Sequence, residues 1–82
     1  MKYTVYVLSS LAARKSYVGS TNNLIRRFDE HNRGRSYFTR QFRPWKIIYT
    51  EEFELENEAK KREKYLKSAS GRNKVLKKLF DN

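Results

Sequence analysis

The sequence predicts an α+β fold, a three-stranded antiparallel sheet flanked by helices in the order ββαβαα. Three observations point there. Runs of β-branched and aromatic residues at 3–8, 16–19 and 45–50 have the length and composition of strands. A polar stretch of hairpin-loop length, residues 9–15, separates the first two. The segments that follow the second and third runs space their apolar side chains by three and four, the period of a helix face.

Residues 3–8 put apolar side chains on both alternating faces, which predicts a buried, central strand. Residues 16–19 pair with it antiparallel. Asn22 or Asn23 is a suitable N-cap for a helix over residues 24–31, with Leu24, Ile25 and Phe28 as its apolar stripe and Gly34 as its C′ stop. Residues 35–44 form a basic loop carrying Tyr37 and Phe38. The third strand begins directly after Pro44, where proline is tolerated. Asn57 is placed to cap a second helix from Glu58 to about Ala69, with Leu55, Ala59, Arg62, Leu66 and Ala69 inward. Ser70 and Gly71 break that pattern, and residues 72–80 make a third helix with Val75, Leu76, Leu79 and Phe80 inward. No internal repeat or linker divides the chain, so residues 1–82 are expected to form one domain.

Composition narrows the function classes. With no cysteine and one histidine, the chain has neither a disulfide framework nor a multi-histidine zinc site. Its core must supply the stability, and 15% aromatic residues suit that task. No apolar run approaches the roughly 20 residues that span a bilayer, and the N-terminus lacks a signal-peptide pattern. A soluble, cytoplasmic protein is expected. The net charge of +10, from 19 Lys and Arg against 9 Asp and Glu, gives an electrostatic preference for polyanions. Nucleic acid is the common partner of such a domain and an anionic membrane surface the rarer one.

One corner of the chain concentrates polar chemistry. Tyr6 and Tyr17 lie on paired strands, where their rings can approach across the ladder. Arg27 and His31 stand one helical turn apart on one face. The alternative is two core tyrosines with hydroxyls at the rim, and a surface histidine held positive by the helix C-terminus. Glu63 sits beside the apolar stripe of the second helix, where a carboxylate is costly unless paired or bound to a cation. A bridge to Arg62, Lys60, Lys67 or an arginine of the first helix is the competing explanation.

Thr4-Val5-Tyr6, Tyr17-Val18-Gly19, Arg27, His31, Glu63 and Asn73 together resemble the ordered motif set of the GIY-YIG nuclease superfamily, in particular its small stand-alone bacterial members. Thr4 replaces the first motif's glycine, and Ser20 stands where some members carry a lysine. The resemblance implies a metal-dependent endonuclease that hydrolyses DNA phosphodiester bonds, with structure-selective or single-stranded DNA as the expected form. Mg2+ or Mn2+ would be held by Glu63, with no small-molecule cofactor. Tyr6 would be the general base, Tyr17 would position the water or phosphate, Arg27 would counter charge on the phosphoryl oxygens, and His31 would assist proton transfer. Asn73 would orient the glutamate or a phosphate. For Tyr6 to act as a base, its pKa must fall from about 10. One cation at about 5 Å supplies about 3 kcal/mol, or some two pKa units, at an effective dielectric near 20.

Grip on the strand is expected from Thr21 and Asn22 at the helix start, from Arg33, Arg35, Arg40 and Arg43 interleaved with Tyr37 and Phe38, and from Asn73 and Lys74 on the last helix. Two rivals remain: a catalytically weak or inactive module binding DNA or RNA, and a basic RNA- or ribosome-associated protein.

Overall fold

The computed structural model describes residues 2–80, in which β1 (Tyr3–Ser10) is the middle strand of a three-stranded sheet ordered β2-β1-β3. Its doubly apolar pattern explains the position: Val5 and Val7 face one side, Tyr6 and Leu8 the other, and all four are buried. β2 (Ser16–Thr21) and β3 (Trp45–Phe53) both pair with it antiparallel. A bulge between Val7 and Leu8 leaves Tyr49 and Ile47 as successive partners. The expected α+β fold is therefore present, and both outer strands run longer than their apolar runs.

Two cores result, one on each face. Val5, Val7 and Val18 pack against Ala59, Leu66 and Leu76. Tyr6, Leu8 and Trp45 pack with Tyr17, Leu24, Phe28 and Phe42. α1 (Leu24–Asn32) covers the second face. Asn23 caps it by accepting from the Arg26 N–H at 3.1 Å, and Gly34 takes the positive φ of 83° that a helix-ending C′ residue needs. Ile25 is not part of the inward stripe, being 86% exposed. Leu24, Phe28 and the fully buried His31 form it, at spacings of four and three. Asn32 then ties α1 to β3, accepting from the Trp45 N–H at 2.7 Å and donating to its carbonyl at 3.2 Å.

The segment expected as a basic loop contains a short helix, α2 (Tyr37–Arg40). α3 (Glu56–Lys67) begins two residues before the expected start. Its N-cap is Leu55, with no side-chain bond, so Asn57 is not the cap; Glu56 and Glu58 in the first turn favour the helix dipole instead. Ala59 and Leu66 face inward as expected, whereas Leu55 and Ala69 are exposed and Arg62 pairs with Glu51 at 3.0 Å.

The chain breaks at Ser68, not at Ser70-Gly71. Ser68 accepts from the Gly71 N–H at 3.2 Å and opens α4 (Ala69–Gly71), which continues through a wide, π-helical turn at Arg72–Leu76 into α5 (Lys77–Phe80), so residues 72–80 are helical as expected. Gly71 is a packing residue: a Cβ there would meet the Tyr65 carbonyl and lie 2.7 Å from the Leu66 Cα. Leu76 is buried and Phe80 half-exposed. Among the described residues no helix is long and apolar enough to cross a membrane.

Candidate functional site

Tyr6 points to the α1 side of the sheet, and its strand partner there is Gly19. The phenol lies over the glycine: a Cβ at Gly19 would fall 2.5 Å from Tyr6 Oη and 3.0 Å from Tyr17 Cε2. That close approach is the physical reason for a glycine in this strand. Tyr17, two residues earlier on β2, is the diagonal neighbour, with ring centroids 6.2 Å apart. His31 closes the cluster, 4.7 Å from the Tyr17 ring and 5.8 Å from Tyr6.

Hydrogen bonds link these groups in a line. Tyr6 Oη lies 2.9 Å from His31 Nε2, and His31 Nδ1 lies 2.8 Å from Thr39 Oγ1. Thr39 is fully buried on α2, and its carbonyl accepts from Trp45 Nε1 at 2.7 Å. A neutral imidazole has one donor and one acceptor, so two proton patterns satisfy the line. In the first, Tyr6 donates to Nε2 and Nδ1–H donates to Thr39. In the second, Thr39 donates to Nδ1 and Nε2–H donates to the Tyr6 oxygen, which supports a phenolate.

The titration directions keep both the phenol and the imidazole uncharged at neutral pH. Burial, then the adjacent Tyr17, push the Tyr6 phenol well above its usual range, and Arg27 only partly opposes them. Arg27 lowers Tyr6 as its charge requires, but desolvation outweighs the one nearby guanidinium. Burial and then the Arg27 charge push His31 down to about 4, so its imidazole is uncharged at neutral pH. A surface histidine held positive by the helix end does not describe it.

Arg27 is not free to face the phenols alone: its Nη1 donates to Glu30 at 3.2 Å. Burial would lower its pKa, but the Glu30 bond and the two phenols outweigh that and raise it. The guanidinium is a fixed positive charge beside Tyr6 and Tyr17.

Glu63 approaches from the other face. Ser20 is paired with Val5 and so faces α3, and its Oγ donates to Glu63 Oε1 at 2.6 Å. Lys67 Nζ donates to Oε2 at 2.8 Å, and Lys60 lies 3.8 Å from Oε1. Burial pushes the Glu63 carboxyl up, but the bonds from Lys67 and Ser20 and the two lysine charges outweigh it and hold the group below its usual value. The lysine bridge foreseen as a competing explanation is present, although the carboxylate still faces the sheet. The site wraps around edge strand β2. Tyr6, Tyr17, His31 and Arg27 lie on the α1 face, Ser20 and Glu63 on the α3 face, and Lys67 Nζ sits 6.0 Å from the Tyr17 ring centroid between them.

No cluster of three or more His, Cys, Asp or Glu exists among the described residues, and at this site the carboxylate considered for a divalent ion is Glu63. The donors that are present, an ionised carboxylate beside a hydroxyl, are hard oxygen ligands. They fit an ion such as Mg2+ that keeps most of its waters and shares a substrate phosphate. Lys67 competes for the same oxygen.

The other predicted contacts divide by what holds them. Thr21 Oγ1 accepts from the Asn23 N–H at 3.0 Å, a turn leading into α1, and Asn22 beside it is exposed. Arg33 pairs with Asp29 at 2.8 Å, and Arg40 lies over the Tyr37 ring at 5.1 Å. Arg35 and Arg43 are exposed, as are Asn73 and Lys74 on the wide turn. Sequence reasoning missed Thr39 and Glu30, and took Ser20 only as a lost lysine. Strand alternation from Val5 and Val18 places Ser20 on the α3 face and was the available signal.

With that geometry in place, the comparisons with known proteins converge. Residues 2–76 match the GIY-YIG catalytic domain. A UPF0213 protein of Limosilactobacillus reuteri is 41% identical over 76 residues, 89% of this chain and 78% of that one. One from Listeria monocytogenes is 46% identical over 59 residues, 71% and 66% of the two chains. One from Natronomonas pharaonis is 40% identical over 67 residues, 80% and 78%. A solution NMR structure of a UPF0213 protein from Bacillus halodurans superposes with a TM-score of 0.57 at 26% identity, covering 94% of this chain and 84% of that one.

Proposed function

The chain belongs to the GIY-YIG catalytic-domain family, a family of nucleases, and from that premise we propose that it is a divalent-metal-dependent endonuclease hydrolysing DNA phosphodiester bonds. Structure-selective or single-stranded DNA is the substrate, and residues 1–82 act as one catalytic unit. A cytoplasmic setting accords with a chain that has no cysteine.

The observation that carries the reading is the buried line Tyr6–His31–Thr39, with Tyr17 and the Arg27 charge beside it. A buried tyrosine bonded to a neutral imidazole has a ready proton acceptor. Moving the Tyr6 proton to Nε2 leaves a phenolate beside an imidazolium, whose Nδ1–H still donates to Thr39 Oγ1. The phenolate takes a proton from the attacking water as the new P–O bond forms. The bond to the leaving oxygen breaks, and that oxygen takes up one proton, matched by the one His31 gives up as the line resets. Tyr17 orients the water or phosphate, and Arg27 opposes the negative charge growing on the phosphoryl oxygens. Glu63, set by Ser20, would hold Mg2+ or Mn2+, which supplies positive charge to the phosphate when bound. Thr21, Asn22, Arg33, Arg35, Tyr37, Arg40, Arg43, Asn73 and Lys74 contact the strand.

A second reading has one observation in its favour. Lys67 already neutralises Glu63 at 2.8 Å, as in a nucleic-acid-binding module, for DNA or RNA, with little or no turnover. Cleavage of a fluorescent flap or single-stranded oligonucleotide with Mg2+ separates the two. The enzyme reading expects Tyr6→Phe and Glu63→Gln to lose cleavage at least a hundredfold while affinity stays within a few-fold. Absence of cleavage by the parent protein, with or without Mn2+, favours the binder.

A further inference from the structure

Beside Tyr17 lies a surface hollow of about 270 Å3 lined by Ser16, Tyr17, Val18, Phe38, Lys67 and Arg72. One wall is aromatic. Phe38 on α2 stacks on Tyr17 with centroids 6.3 Å apart and planes 30° apart, and Phe42 backs it at 5.4 Å. Phe38 nevertheless keeps 41% of its surface exposed, an unusual outlay of apolar area in so small a domain. Two cations share the lining. Lys67 ends α3, and Arg72 begins the wide turn, where its Nε donates to the Lys67 carbonyl at 3.2 Å.

A flat apolar face with two cations in the same hollow matches one ligand chemistry, a planar heterocycle attached to phosphates. We propose that this hollow takes an unpaired nucleobase of the strand being cut, stacked on Phe38, with its flanking phosphates against Lys67 and Arg72. The inference rests on the nuclease reading and sharpens it. Bases in a duplex have both faces covered, so the subsite selects a strand with at least one unstacked nucleotide beside the bond placed at Tyr17. The hollow shares the Tyr17 ring with the cluster at His31, 4.7 Å away, so base capture and positioning of the scissile phosphate act through one side chain. An acidic peptide would satisfy the cations but leave the aromatic wall unused.

Fluorescence anisotropy in EDTA, where nothing is cut, tests it on the full chain with a short single-stranded oligodeoxynucleotide and its duplex. Phe38→Ala is expected to weaken single-strand binding about 5- to 150-fold, the worth of one base on one aromatic ring, and duplex binding less than twofold. Phe38→Leu keeps the apolar bulk without the flat face, and matches that loss if Phe38→Ala fails to fold. Phe38→Trp retains affinity, and its emission is quenched by the single strand. Unchanged single-strand affinity in Phe38→Ala or Phe38→Leu overturns the subsite, as does an equal loss for both forms, while leaving the nuclease reading standing. A parent protein that binds neither form overturns both.

Discussion

Acidification perturbs the proposed site at one identifiable group. His31 is fully buried and its pKa falls from 6.5 to about 4, through burial first and the Arg27 charge second. A depressed folded-state value means the unfolded chain binds the proton first. The stabilisation is therefore complete above pH 6.5 and is lost progressively as pH falls toward 4. At about 1.4 kcal/mol per unit, the full loss is about 3 kcal/mol, and about 2 kcal/mol is spent by pH 4.5. A domain of this length has on the order of 4–12 kcal/mol in total, so the effect is measurable. Trp45 is buried and reports unfolding by its emission. Urea denaturation at pH 7.0 and 4.5 is expected to show a difference about 2 kcal/mol larger in the parent than in His31→Gln, which cannot titrate there. The Glu63 carboxyl, held low, also loses its stabilisation on acidification, but it does so in both proteins and cancels. An imidazole that titrates by NMR near 6.5, or equal acid losses in both proteins, refutes the reasoning.

Three other perturbations follow from the same contacts. Gly19→Ala sets a Cβ 2.5 Å from the Tyr6 hydroxyl, and since His31 holds that phenol, overpacking costs about 1–3 kcal/mol in a thermal melt and displaces Tyr6. Thr39→Val keeps the volume but leaves His31 Nδ1 without its partner; a loss of about 1–3 kcal/mol is expected by urea titration, with His31 exchange protection reduced. Lys67→Ala removes the ammonium that competes for Glu63, so Mn2+ affinity measured by EPR without nucleic acid is expected to rise about three- to tenfold, and to vanish in Glu63→Gln.

The sheet was legible because β1 is apolar on both alternating faces, a pattern only a central strand satisfies. Tyr6, Tyr17, Arg27 and His31 were legible as a group because strand pairing and helical spacing bring them together. What the pattern misjudged has a physical reason in each case. Ile25 looks like a core residue, but the inward face of α1 is taken by His31, a polar group that burial tolerates because Tyr6 and Thr39 bond both ring nitrogens. Thr39 itself gave no signal, since α2 spans too few residues to show a period. Gly71 resembles a helix breaker, whereas it is a point of close helix contact at Tyr65 and Leu66. Arg27 lowers Tyr6 as charge counting expects, but desolvation, which charge counting leaves out, outweighs it.

Anomalous scattering from Mn2+ in crystals grown with a non-cleavable single-stranded oligonucleotide tests the central claim most directly. The account predicts a peak against the Glu63 carboxylate, with Lys67 displaced onto phosphate and the scissile group facing Tyr6 and Tyr17. An ordered oligonucleotide beside an intact Lys67–Glu63 pair, with no anomalous peak, would contradict it.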